Sequence, residues 1–252
     1  MLSLNDRSKT NVSGAFANYF GDLFAKKRKL VKLELDFTTQ VKAEWEAILG
    51  STTTDKSKAE KALKACYLAA GLEIPNILWT DHPVNIIKLL IDRTNVRDVC
   101  GIITNQIWNQ SEIAIQSAID PESTAYVLER VNPNHIVRTS TGKHQIVSVA
   151  DRLNGLVMTK ISDLYQDLTE STIISPLQDY RIGDLSYFDY FMRIGIGIPQ
   201  VQLAIDLATS CGWIWTFEKF AILTPKPNRV RIDRYGNIVA IIYNGVNILS
   251  ET

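Results

Sequence analysis

The sequence is poor in cysteine and lacks any long apolar run. Its 252 residues include three cysteines, Cys66, Cys100 and Cys211. The scattered cysteines, odd in number, give no indication of a disulfide framework, and no pair has the spacing of a metal site. No stretch approaches the ~20 consecutive apolar residues that a membrane-spanning helix requires, and residues 1–10 lack the apolar core of a secretory signal. We therefore expect a cytoplasmic protein with no membrane partner.

The sequence also lacks an excess of either charge, because 27 basic residues balance 27 acidic ones. Proteins that bind nucleic acid usually carry a basic excess, so this balance disfavours such a partner without excluding it. Hydrophobic residues make up 46% of the chain and charged residues 21%, as in an average globular domain. We predict a flexible N-terminus over residues 1–14 and a single helix-rich domain over residues 15–252.

Helical spacing of apolar residues predominates over most of the chain. Ser57 and Glu60 have the spacing of a capping box at the start of one helix, and Gly71 is placed to end it. A short apolar run at residues 75–79 predicts a buried strand. Asp120 is expected to cap a further helix.

The pattern changes to that of strands near the C-terminus. In the middle of the chain, residues 135–149 predict a hairpin. An antiparallel β-meander is expected at about residues 213–250, where Asn244 and Gly245 form a strong two-residue turn signal. Helices precede these strands instead of alternating with them. The predicted fold class is therefore α+β, predominantly helical with a small C-terminal antiparallel β-meander.

Two groups of segments carry a family resemblance. The first group comprises Trp45, the helix Ala59–Gly71 and the segment Pro75–Pro83 with its Trp79 and Asp81. The second comprises Asp189–Phe191, the aromatic box Cys211–Glu218, Pro227 and Arg231-Ile-Asp233-x-x-Gly236. Together they resemble a bacterial family of unknown function with a Gly-Trp-Trp-Trp-Pro-Phe-Glu box. The resemblance covers about residues 45–249, and the aromatic box is its specific part.

The chain departs from that family at several points. His82 stands where the family usually has Ser, while Ile214 and Thr216 replace the second Trp and the Pro of the box. A His and an Asp-Gly-Pro segment that often follow the last turn are absent. The resemblance implies the fold, and it assigns no reaction.

The aromatic box supplies the first candidate binding residues. Trp213, Trp215 and Phe217 alternate, so in a strand they would share one face. Such a row can form an exposed platform for a peptide, a sugar or a base. It can equally close the core where sheet meets helices, and the sequence leaves both interpretations open.

Basic residues supply the second set of candidates. Arg229, Arg231 and Arg234 with Lys226 are expected to form a basic patch on the outer face of the meander. Another basic cluster lies at residues 26–29. Runs of charge are most often solvated faces, but these two could also hold an acidic partner or a nucleic-acid backbone.

Candidate catalytic residues are few. Asp81 and His82 precede Pro83 at a strand-to-helix junction, where helix capping accounts for the same residue types. With Glu218 they could line a cleft between helices and sheet. The histidines are too scattered in sequence to indicate a metal site, and no cofactor is expected.

These observations favour a non-catalytic intracellular protein-interaction or regulatory module, because no complete catalytic or metal constellation can be read. Its aromatic box and basic meander would contact a protein partner. One alternative is an enzyme of unknown class that uses Asp81, His82 and Glu218. The other is a weak nucleic-acid binder.

Overall fold

The structure is a computed structural model that describes residues 27–90, 96–132, 135–138, 144–147, 149–164, 182–234 and 237–250. The predicted flexible segment 1–14 lies outside these residues. Within the described ranges, no helix is both long and apolar enough to cross a membrane.

Helices form most of the described chain. They are α1 (Lys32–Gly50), α2 (Lys56–Ala69), α3 (Ile86–Leu90), α4 (Cys100–Thr104), α5 (Gln110–Ala118), α6 (Pro121–Val131), α7 (Val149–Leu164), α8 (Ile182–Arg193) and α9 (Val201–Ser210). A 3-10 turn (Pro83–Asn85) precedes α3, and a π-helical turn (Asn105–Asn109) joins α4 to α5.

The strands are short. They are β1 (Asn76–Trp79), β2 (His135–Arg138), β3 (His144–Val147), β4 (Ile214–Thr216), β5 (Phe220–Leu223), β6 (Arg229–Ile232), β7 (Ile238–Tyr243) and β8 (Val246–Asn247). Strands β2 and β3 form the predicted hairpin. The α+β class and the small C-terminal antiparallel sheet are confirmed, since β6, β7 and β8 pair in that order.

The first half of the predicted meander belongs to a different sheet. Strand β5 lies between β1 and β4, parallel to β1 and antiparallel to β4. Asn76 is opposite Phe220, and Trp79 is opposite Leu223. The prediction of one meander over residues 213–250 is therefore wrong for residues 214–223. Their partner β1 is more than a hundred residues away, and local sequence patterns carry no signal for such pairing.

Strands β4 and β5 are buried on both faces, whereas β1 is only partly buried, so the prediction of a buried strand at residues 75–79 is wrong in its burial. Ile214 and Leu223 contact a core formed with the helices, whereas Trp215 and Ile222 contact a second core that includes the meander. Side chains alternate between the faces of a strand, so one short sheet serves both cores. This sheet therefore lies between the main helical core and a second core, which the meander shares with α7 and residues 84–86.

Hydrogen bonds from buried aromatic side chains join the helices to this framework. The Tyr67 hydroxyl in α2 donates to the carbonyl of Phe217 at 2.8 Å. The Trp45 indole in α1 donates to the carboxylate of Asp189 in α8 at 2.9 Å. A buried donor needs such a partner, so these bonds fix the positions of α1 and α2.

The ends of the elements follow their local sequence, with one correction. Asp55, rather than Ser57, is the N-cap of α2, and its side chain accepts from the Lys58 amide at 2.9 Å. Asn244 and Gly245 both have positive φ, 48° and 84°. That combination is typical of a type I′ turn and accounts for the tight β7–β8 hairpin.

Candidate functional site

The aromatic box lies in the core. Trp213 is 5% exposed, and Trp215 and Phe217 are each 1% exposed. The three rings share one face, as the alternation predicts, and that face packs against the meander. The structure thus excludes the exposed platform, and the binding role predicted for these three residues is wrong, because their rings fill the space between sheet and meander.

Close packing also explains the glycine of the box. A side chain at Gly212 would collide with the carbonyl of Pro225 and the hydroxyl of Thr224. The Gly212 amide donates to the Thr224 carbonyl at 2.9 Å, and the Trp213 amide donates to the Thr224 hydroxyl at 2.9 Å. The box motif is therefore a requirement of folding where β4 meets the end of β5.

The three candidate catalytic residues do not meet. Asp81 follows the end of β1 where Trp79 pairs with Leu223, whereas Glu218 precedes the opposite end of the same strand pair. The paired stretch of these two strands is about 10 Å long, and Asp81 and Glu218 lie beyond its opposite ends. Glu218 instead forms an ion pair with Arg97 at 3.5 Å. The prediction of a cleft lined by all three residues is therefore wrong, because the β1–β5 strand pair separates Asp81 from Glu218.

His82 is hydrogen-bonded at one ring nitrogen and buried at the other. Nε2 lies 3.0 Å from the Asn85 amide nitrogen, and Nδ1 is buried with no hydrogen-bond partner in the described part of the chain. Burial lowers the pKa of His82, although the charge of Asp81 opposes this shift. Asn85 occupies Nε2 and Nδ1 is buried, so His82 is a poor candidate for acid–base catalysis.

The buried Cys211 is also unsuited to catalysis. Its thiol donates to the carbonyl of Leu207 at 3.4 Å. Burial raises the pKa of Cys211 to about 12, against a small opposing effect of Lys226. Burial and the charge of Asp206 likewise raise the pKa of Cys66 to about 12. Both groups are thiols at neutral pH, and a thiol is not the nucleophilic form.

These raised pKa values predict a loss of stability in alkali. The unfolded chain releases each thiol proton near the ordinary pKa of 9.0, but the folded chain holds it to about 12. The contribution of these thiols to the free energy of unfolding is therefore fully present below pH 9. It is lost as the pH rises toward 12, by about 1.4 kcal/mol per thiol for each pH unit.

Urea unfolding at several pH values between about 8 and 11 measures this slope. In Cys211→Ala, the free energy of unfolding should fall less steeply with pH, because only one of the two thiols remains. The difference between the variant and the native protein at neutral pH gives the cost of the smaller side chain separately. If the free energy of unfolding fell equally steeply with pH in the variant, the raised pKa of Cys211 would not be a cause of the loss of stability.

Lys226 does not lie on an outer face of the meander. Its side chain is 7% exposed, and Nζ donates to the carbonyl of Ile48 at 3.4 Å. Helix α1 has no basic residue in its last turn, so Lys226 supplies a cation at that negative end of the helix dipole. The binding role predicted for Lys226 is therefore wrong, because burial commits its side chain to folding.

Arg229 and Arg231 remain as exposed candidates. Both lie on β6, opposite Ile242 and Ala240 of β7, so they project from the same face. Among the described residues, no acidic group forms an ion pair with either arginine. We call β6 with these two arginines the basic edge.

The basic edge has apolar neighbours. Ile232 at the end of β6 is 48% exposed. Val239 of β7 is 47% exposed because it is the extra residue where the register advances from Ala240 to Ile238. The sequence contains the alternating pattern of β6 but no sign that β6 is an edge strand, since that depends on which strands pair.

Two residues of the second basic cluster, Arg28 and Lys29, are paired with carboxylates. Arg28 contacts Glu34 through both terminal nitrogens, the shorter distance being 2.8 Å. Lys29 lies 3.4 Å from Glu122. These pairs lower the positive potential available to an outside anion, so the cluster adds little to the basic edge.

Comparisons of the chain with models of protein families, with curated proteins and with solved structures find no match. The resemblance to the bacterial family with the aromatic box therefore stays a prediction. Function is inferred from the geometry of the basic edge.

Proposed function

We propose that this protein is a non-catalytic, cytoplasmic interaction module that binds an acidic segment of a partner protein at its basic edge. The observation that carries this proposal is the pair Arg229 and Arg231, exposed on one face with no acidic partner among the described residues. Arginine is enriched at protein interfaces, where its planar fork binds carboxylates through two hydrogen bonds.

The other candidate functions have less support. The enzyme hypothesis required Asp81, His82 and Glu218 in one cleft, and the β1–β5 pair separates Asp81 from Glu218. The nucleic-acid hypothesis would use two basic patches together, and Arg28 and Lys29 of the second patch are paired with carboxylates. A small basic surface beside exposed apolar residues fits a protein segment better than an extended phosphate backbone.

Fluorescence anisotropy with a labelled peptide that alternates Glu and Val tests the proposal. Binding should be weakened at least about tenfold by Arg229→Glu with Arg231→Glu, because attraction of two charges becomes repulsion. The matched control is Lys61→Glu with Lys219→Glu, which makes the same change in net charge at exposed positions on α2 and the β4–β5 turn. The control should bind like the native protein.

Equal weakening by both double variants would show only a response to net charge and would overturn the proposal. An oligothymidylate that binds the native protein more tightly than the peptide, and is lost with Arg229→Glu and Arg231→Glu, would instead assign the basic edge to nucleic acid.

A further inference from the structure

The open side of β6 is a further feature of the basic edge. Strand β6 pairs with β7 on one side, and among the described residues no strand pairs with its other side. None of its four residues is proline, so each carries a backbone N–H group. An edge strand of this kind presents donors and acceptors that an added strand can satisfy.

The spacing of the side chains selects a particular partner sequence. Arg229 and Arg231 are two residues apart on one face of the sheet. Side chains directly opposite each other on neighbouring strands lie about 5 Å apart. An extended segment with acidic residues at positions i and i+2 would thus place one carboxylate beside each arginine.

The opposite face of β6 selects apolar residues. Val230 is half-buried and lies opposite Ile241, a core residue, while Ile232 is 48% exposed on the same side. Apolar residues at positions i+1 and i+3 of an added strand would extend this buried surface over Ile232.

We propose that the partner segment binds by strand addition to the open side of β6, and that it alternates acidic and apolar residues. This inference rests on the proposed function and adds the mode of binding and the sequence period to it. Charge complementarity with Arg229 and Arg231 identifies the occupant as an acidic protein segment.

Peptides of identical composition test the period. The alternating Glu/Val peptide should bind at least about tenfold more tightly than a peptide in which the Glu residues and the Val residues form two blocks. Equal affinity of the two peptides would overturn the inference. The proposed function would survive that result if Arg229→Glu with Arg231→Glu still abolished binding of both.

Backbone methylation tests the strand. Only alternate N–H groups of an added strand face β6, so two isomers are compared, one N-methylated at the Glu residues and one at the Val residues. One isomer should lose binding by at least about tenfold, while the other should bind like the parent peptide. If both isomers bind like the parent, or both lose binding equally, strand addition is wrong.

Discussion

Trp215→Ala should lower the free energy of unfolding by about 3–5 kcal/mol. Trp215 is 1% exposed and lies with Ile222 in the core beneath the meander. Its removal forfeits a large buried apolar surface and leaves a cavity that a tightly packed sheet cannot close. Since small domains are stable by only about 5–15 kcal/mol, this is a large share of the total.

Urea unfolding followed by circular dichroism measures the effect. Leu33→Ala is the control, because Leu33 is 81% exposed on α1, and it should change stability by less than about 0.5 kcal/mol. A loss below about 1 kcal/mol in Trp215→Ala would mean that the aromatic box is not a core element.

Asp189→Ala should be comparably destabilising, at about 3–5 kcal/mol. The carboxylate of Asp189 is 2% exposed and accepts from the Trp45 indole at 2.9 Å and from two nitrogens of Arg193. Removing it leaves the fully buried Trp45 without its acceptor and deprives the Arg193 guanidinium of its buried anion. The buried hydrogen bond between α1 and α8 is lost at the same time, while the bond from Tyr190 to the Glu34 carbonyl still joins the two helices.

Two variants separate these contributions. Asp189→Asn keeps the shape and one acceptor oxygen, so it should cost less than Asp189→Ala. Glu44→Gln removes only the outer ion pair of Arg193, whose partners are 31% and 38% exposed, and should cost less than about 1 kcal/mol. Equal costs for Asp189→Ala and Glu44→Gln in urea unfolding would contradict a buried network.

Local features of the fold could be predicted from the sequence. Gly71 ends α2 with a positive φ of 70°, and the Asn244–Gly245 turn joins β7 to β8. Both depend on a few adjacent residues whose conformational preferences are strong. The pairing of β1 with β5 could not be predicted, because it joins residues 76–79 to residues 220–223 with no local sign of the partner.

The site was less predictable for a related reason. Alternation at Trp213, Trp215 and Phe217 correctly predicts a shared face, but burial of that face depends on the meander that covers it. The sequence near Lys226 does not indicate whether its side chain is solvated or caps α1. Charge alone indicates Arg229 and Arg231 as candidates, whereas their position on an edge strand follows from the order of strands in the sheet.

Amide hydrogen exchange, followed by nuclear magnetic resonance with and without the alternating Glu/Val peptide, tests most directly whether β6 is the binding surface. Amides of residues 229–232 that face away from β7 should exchange more slowly in the complex, while exchange in α6 stays unchanged. Saturating peptide that leaves the exchange of residues 229–232 unaltered would contradict the assignment of the basic edge as the docking strand.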